Sequence, residues 1–366
     1  MPHTLKAQAP HVFWAYIGNN KTDGVGLFRL DSDTGTLTAA GIATPARSPD
    51  FLAIAPNQKF LYSGVTIDTD KGPAGGVQSF SIDAATGKLT PLNIQPSEGD
   101  EAAFVTVDPS GRNALAANYA AGVVSVLPID STGRLSPASS TIKETGSSID
   151  PERQTHAYAH SVNCSPDGKF AISCDLGADK LFIYKLDAAA GKLTPNDPPS
   201  VSVLPGSGPR HLTFSPNGKF VYVINEMGAT VIAFSFDAAA GSLTQIQSVT
   251  TLKEPTPGNT SAEVQIDPSG RFLYASNRLT TNYLTIFSID PDSGKLTLVG
   301  YQDSLGKTPR NFRIEPTGRY MLLANQDSNT LVLFKIDQQT GKLTPVGDPI
   351  STVHGPICVK FVAVQR

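Results

Sequence analysis

Seven times along this chain, at steps of 46 to 58 residues, a short polar segment ends in Gly, any residue, then Leu; the glycines are Gly35, Gly87, Gly133, Gly191, Gly241, Gly294 and Gly341. A unit of this length, repeated until it fills all 366 residues, specifies a closed repeat architecture rather than a string of unrelated domains. Such rings hold one continuous fold at lengths that would otherwise suggest two domains.

A second marker interleaves with the first. It reads Ala-Pro-Asn-Gln-Lys at 55–59, Asp-Pro-Ser-Gly-Arg at 108–112 and 267–271, Ser-Pro-Asp-Gly-Lys at 165–169, Ser-Pro-Asn-Gly-Lys at 215–219 and Glu-Pro-Thr-Gly-Arg at 315–319. Pro presets the first turn dihedral and Gly supplies a positive one, so each copy is a tight turn between strands. Runs such as Phe220-Val221-Tyr222-Val223-Ile224 and Val231-Ile232-Ala233-Phe234-Ser235-Phe236 follow, dominated by β-branched and aromatic residues and without helical spacing. The unit at 210–252 reads as four antiparallel strands. The expected fold is all-β: a seven-bladed β-propeller of four-stranded blades, spanning 1–366 as one domain, with residues 1–10 a flexible tail. Only six Pro turns accompany seven Gly-x-Leu markers. The missing blade is therefore expected to be split, with an inner strand at 354–364 and its neighbour at 12–17 closing the ring and hiding an edge.

Hydrophobic content of 40% suffices for a packed interior, and a formal net charge of -3 gives no reason to expect a nucleic-acid partner. No apolar stretch is long enough to cross a bilayer, and residues 1–10 lack an apolar signal core, so a cytoplasmic location is expected. Ala7-Gln8-Ala9 has the small-residue shape of a cleavage site, which leaves a periplasmic or secreted protein with its signal removed as the alternative. Cys164, Cys174 and Cys358 have no metal-ligand spacing and read as small buried hydrophobes.

In an antiparallel blade the start of the first strand and the end of the second lie at the same mouth of the ring. Ser48, Glu101, His160, Arg210, His211, Glu263, Arg310 and His354 precede first strands; Asn118, Tyr119, Asp175, Asn225, Glu226, Asn277, Arg278, Asn325 and Gln326 close second strands. Chemically able side chains are thus expected at one mouth, and mostly turn sequence at the other. Arg210, Arg278 and Arg310 come from different blades yet converge there. Either they bind an anionic ligand through planar, bidentate guanidinium groups, or they pair with Asp175, Glu226 or Glu263 and tie blades together. His160 and His211 open adjacent inner strands and read either as structural residues or as site residues. His156, on a loop four residues upstream of His160, could reach the rim. Nucleophile-elbow, dinucleotide, P-loop and His-Glu-x-x-His signatures are absent, so no cofactor or metal is expected.

Ala-His-Ser with Ser-Pro-Asp-Gly-Lys at 159–169, Gly-Pro-Arg-His with Ser-Pro-Asn-Gly-Lys at 208–219, Val-Ile-Asn-Glu at 223–226 and Ala-Ser-Asn-Arg at 275–278 resemble the seven-bladed propeller lactonases. That family includes the bacterial propeller-type 6-phosphogluconolactonase and, as a second branch, the fungal carboxy-muconate lactonizing enzyme. The resemblance implies lactone chemistry, most directly hydrolysis of 6-phosphogluconolactone, with His160, Arg210, Glu226 and Arg278 as the catalytic set. His160 or Glu226 would serve as general base, Arg210 would stabilise the oxyanion, and Arg278 with Arg310 would hold the phosphate or carboxylate. Arg310, His211, Glu263 and His156 are the expected substrate contacts. The implied partner is a small anionic lactone or carboxylate, with no nucleic acid or membrane and oligomeric state open. A muconate-type cycloisomerase and a non-catalytic binding or scaffold propeller are the rival readings.

Overall fold

The computed structural model describes residues 11–21, 24–46, 48–70 and 72–365; the expected tail at 1–10 lies outside them. Among the described residues there are 29 strands in seven antiparallel sheets and no helix, hence none long and apolar enough to cross a membrane. The chain is a seven-bladed β-propeller. We number the blades by their first strands: Leu52–Ile54, Ala102–Val107, Ala159–Cys164, Pro209–Phe214, Thr260–Ile266 and Pro309–Ile314 open blades 1 to 6, and Pro356–Ala363 opens blade 7. Blade 6 carries an extra short strand, Ile350–Ser351, on Thr330–Ile336.

Blade 7 closes the ring. Pro356–Ala363 pairs with Val12–Asn19, which continues into Val25–Asp31 and Thr36–Thr44. Its first two strands come from opposite ends of the chain and need no Pro-Gly turn between them, which is why the turn marker occurs once less often than Gly-x-Leu.

The Gly-x-Leu marker has a packing role as well as a turning one. Gly294 has φ +70, and a Cβ there would lie 2.4 Å from the Phe220 ring of the preceding blade, so both backbone and space demand glycine. The Tyr222 hydroxyl, from that same blade, donates to the Gly294 carbonyl at 2.8 Å. Tyr16 on Gly87, Tyr62 on Gly133 and Tyr274 on Gly341 repeat the contact at 3.0, 3.2 and 2.8 Å. These four tyrosines are fully buried, so each ring fills the space between blades while its hydroxyl finds a partner. The Pro-Gly turns occupy the opposite end of the blades from the polar mouth. In the first of them Gln58 takes the positive φ that glycine supplies elsewhere.

Candidate functional site

A recurring irregularity aims the side chains of the mouth. In blades 2 to 6 the register of the first strand slips near its start: Ala159 faces Asp175 and Ser161 faces Cys174, which leaves His160 as the extra residue. Arg210 and Arg310 are the extra residues in blades 4 and 6, and Ala103 in blade 2. A β-bulge of this kind re-aims one side chain without ending the strand. Asp50 stands at the same place in blade 1, where its N–H donates to the Gly64 carbonyl at 3.0 Å.

Glu226, directly after the second strand of blade 4, is the hub. Its Oε1 accepts from Arg153 Nη2 at 2.7 Å, its Oε2 accepts from Arg210 Nε at 3.0 Å, and the same Oε2 forms an ion pair with Arg278 Nη2 at 2.9 Å. His160 Nε2 stands 3.8 Å from the same Oε2. Burial alone would raise the Glu226 carboxyl. Arg278 and Arg210, with the Arg153 hydrogen bond, outweigh it and hold the group well below the usual carboxylate range. Arg210, 2% exposed, also donates to the Ala262 carbonyl at 2.8 Å, so it works from beneath the site.

Arg153, His160, Glu226, Arg278 and Arg310 line one cavity of about 190 Å³, together with Glu101, Ala103 and Tyr119. Arg310 is half-buried and makes no hydrogen bond or ion pair within 4 Å among the described residues. Burial, then Arg210 and His211, push His160 well below the ordinary histidine range, so its imidazole is neutral. The ring packs edge-on against Tyr119 and His211, and its buried Nδ1 has no partner. Burial raises Glu101 against the pull of Arg310. Asp50 is pushed up to about 7 by burial, with Arg310 and Arg210 opposing and Glu101 adding to the shift. The cavity thus presents several guanidinium groups, one shared carboxylate and a neutral imidazole. It can receive an anion and move a proton. Among the described residues no cluster of three or more His, Cys, Asp or Glu side chains is placed to hold a metal ion.

His160, Arg210, Glu226, Arg278 and Arg310 therefore come together. His211 and Glu263 lie one layer deeper, paired Nδ1 to Oε2 at 3.2 Å, and line a different cavity. His156 is exposed on the rim, with its ring against Tyr158 at 4.0 Å and Nε2 3.2 Å from the Ala120 carbonyl, outside the cavity lining.

The strand-closing amides expected at the mouth turn away from it. Asn118 holds the Ser97 and Val123 carbonyls, Asn277 those of Thr251 and the Thr285 hydroxyl, and Asn325 the Ser304 carbonyl, all buried. Asp175 accepts from the backbone of Tyr158 and Ala178. Strand alternation explains this: successive residues face opposite sides, so Asn225 and Asn277 bracket loops while Glu226 and Arg278 face the channel. His354 is likewise on an outer surface, beside Gly26 and Phe28.

Two site residues escaped sequence reasoning. Arg153 rides on the segment between Ser140–Lys143 and Ala159–Cys164, where Gln154 Nε2 anchors the loop to the Leu176 carbonyl at 2.9 Å. The 58-residue step from Gly133 to Gly191, the longest between markers, was its trace in the sequence. Asp50 had a positional signal, lying just before the inner strand Leu52–Ile54, as His160 and Arg210 lie at the start of theirs.

The family model described as "Lactonase, 7-bladed beta-propeller" matches residues 14–361. The chain is 34% identical over 310 residues to a protein of Formosa agariphila named 6-phosphogluconolactonase, covering 84% of this chain and 87% of that one. It is also 34% identical over 342 residues to a 6-phosphogluconolactonase of Bacillus subtilis, covering 93% and 95%. Among solved structures it resembles a periplasmic gluconolactonase of Pseudomonas aeruginosa, with a TM-score of 0.86, 31% identity, and coverage of 97% of this chain and all of that one.

Proposed function

Because the chain belongs to the seven-bladed β-propeller lactonase family, we propose that it hydrolyses 6-phosphogluconolactone to 6-phosphogluconate in the arginine-lined cavity. The observation that carries this reading is the charge arrangement. Glu226 is already shared by three guanidinium groups, and Arg310 faces the same cavity without a partner. Like charges gathered in a small opening repel, and an entering phosphate relieves that repulsion through charge-assisted hydrogen bonds.

The hydrolytic water enters the cavity beside His160 Nε2, which Glu226 Oε2, 3.8 Å away, orients. His160 takes a proton from that water as its oxygen bonds to the lactone carbonyl carbon. Arg278, close to the hub and mostly buried, stabilises the oxyanion of the tetrahedral intermediate. The ring C–O bond then breaks, and the proton passes from His160 to the departing alkoxide. Arg310 and the more exposed Arg153 hold the phosphate at the mouth. Arg210 positions Glu226 from below, a narrower role than direct oxyanion contact.

Turnover of 6-phosphogluconolactone and of unphosphorylated gluconolactone by Arg310→Ala tests the reading. Losing one charge-assisted contact should cost about 1.5–3 kcal/mol in kcat/KM for the phosphorylated substrate and little for the other. Equal losses would make Arg310 a structural residue. Ring closure of carboxymuconate without lactone hydrolysis would replace the hydrolase with a cycloisomerase, and anion binding without turnover of either would make the mouth a binding site.

A further inference from the structure

The other end of the channel, expected to carry mostly turn sequence, holds two basic side chains. Arg313 and Lys360 come from the first strands of neighbouring blades 6 and 7 and line two adjoining cavities of about 340 and 390 Å³. These open toward the Pro-Gly turns, where Pro109, Pro166, Pro216 and Pro268 form their walls. Lys360 Nζ sits 4.6 Å over the Phe51 ring, and Arg313 Nη1 reaches only the Gln265 Oε1, at 3.4 Å. Neither has a carboxylate within ion-pair distance among the described residues.

The nearest acid is already engaged. Glu263 takes His211 Nδ1 and Asn311 Nδ2 on Oε2 and the Val264 N–H on Oε1. Across the channel the buried Nδ2 of Asn163, a donor lining the same cavity, has no partner. A buried donor without an acceptor is costly, as are two cations side by side in a confined space. Neither His160 nor any arginine of the front cavity lines this chamber.

We infer that the turn-side chamber is a second anion site, separate from the front cavity, which takes a small organic oxyanion (a carboxylate or phosphate ester) on Lys360, Arg313 and Asn163. Both cavities exceed the front one in volume, which leaves room for an organic group beside the oxyanion.

Isothermal titration with citrate at low ionic strength tests this, with inorganic phosphate as a second probe. The Arg278→Ala/Arg310→Ala protein, whose front cavity is weakened, should still bind one equivalent of citrate. Adding Lys360→Met and Arg313→Met should weaken that binding tenfold or more, whereas Lys360→Arg should retain it. On the otherwise unmodified chain, Lys360→Met/Arg313→Met should leave lactone turnover within a factor of about two, which also reports that the ring is folded. Asn163→Ala, which removes no charge, should weaken citrate binding by a smaller factor. Absence of saturable binding to the front-site variant up to millimolar citrate would overturn the proposal, as would binding indifferent to Lys360 and Arg313. Failure of the front-site reading would appear differently, as citrate stoichiometry unchanged by Arg278→Ala/Arg310→Ala.

Discussion

Replacing Glu226 with Gln keeps the shape of the side chain and removes the one charge that three guanidinium groups share. Arg210 and Arg278 are buried cations held at 3.0 and 2.9 Å, and removing the partner of a buried pair costs about 3–5 kcal/mol because the remaining charge stays desolvated. Arg153, whose side chain is 42% exposed, adds little because water screens it. The Gln carbonyl can still accept one of the two hydrogen bonds, so the expected loss is near the low end, about 3 kcal/mol. The variant should also respond to anions more strongly than the parent, since its cavity is more positive. Phosphate at a hundred times its dissociation constant stabilises the folded state by about 2.7 kcal/mol and should return most of the loss. Urea unfolding of both proteins with and without phosphate measures this. Equal midpoints, or a deficit that phosphate does not touch, would refute the view that Glu226 neutralises the arginine cluster.

His160 stays neutral in the folded protein because burial, Arg210 and His211 lower it. The unfolded chain binds a proton there below about pH 6.5, so the stability this provides is complete above that pH and is lost as pH falls toward the folded value. The slope reaches at most about 1.4 kcal/mol per pH unit, and His160→Asn should flatten it in unfolding measurements below pH 6.5; an unchanged slope contradicts the assignment. For catalysis, a His160 base places the acid limb of kcat/KM below the ordinary histidine range, whereas a limb near 7 that vanishes in Asp50→Asn would give the role to Asp50. Gly294→Ala combines a positive φ with contact against Phe220 and should destabilise by about 1–3 kcal/mol, with Gly300→Ala, which meets nothing within 4 Å, as the mild control. Deleting residues 354–366 removes the partner of Val12–Asn19, and a truncated protein that melts like the full chain would count against closure by that strand.

The ring could be read from the sequence because its markers are local dihedral demands: Pro with Gly between the first and second strands of a blade, Gly before Leu between the third and fourth. The gathering of His160, Glu226 and Arg278 follows from the same markers through antiparallel geometry alone. What remained hidden depends on tertiary detail. Whether Arg210 or His211 faces the front cavity is set by a bulge, and neither does so fully: Arg210 supports Glu226 from beneath while His211 faces the deeper layer. Asn225 and Glu226 are neighbours with opposite destinations, which composition cannot distinguish. Arg153 reaches Glu226 across 73 residues from a loop with no periodicity to place it. Arg313 and Lys360 lie within inner strands, away from the strand ends that mark the mouth.

Sharing blade 7 between the two ends also imposes an order of events on the growing chain. Val12–Asn19 leaves the ribosome before any strand of blades 1 to 6, yet its inner partner, Pro356–Ala363, leaves after all of them. Throughout synthesis that strand offers a row of unsatisfied amides and carbonyls, with Phe13, Trp14, Ala15, Tyr16 and Ile17, buried on both faces in the finished ring, uncovered. Blades 1 to 6 can assemble in sequence as they emerge. The final pairing spans nearly the whole chain, so its loop-closure entropy is met last, by an arc whose geometry already brings the two ends together.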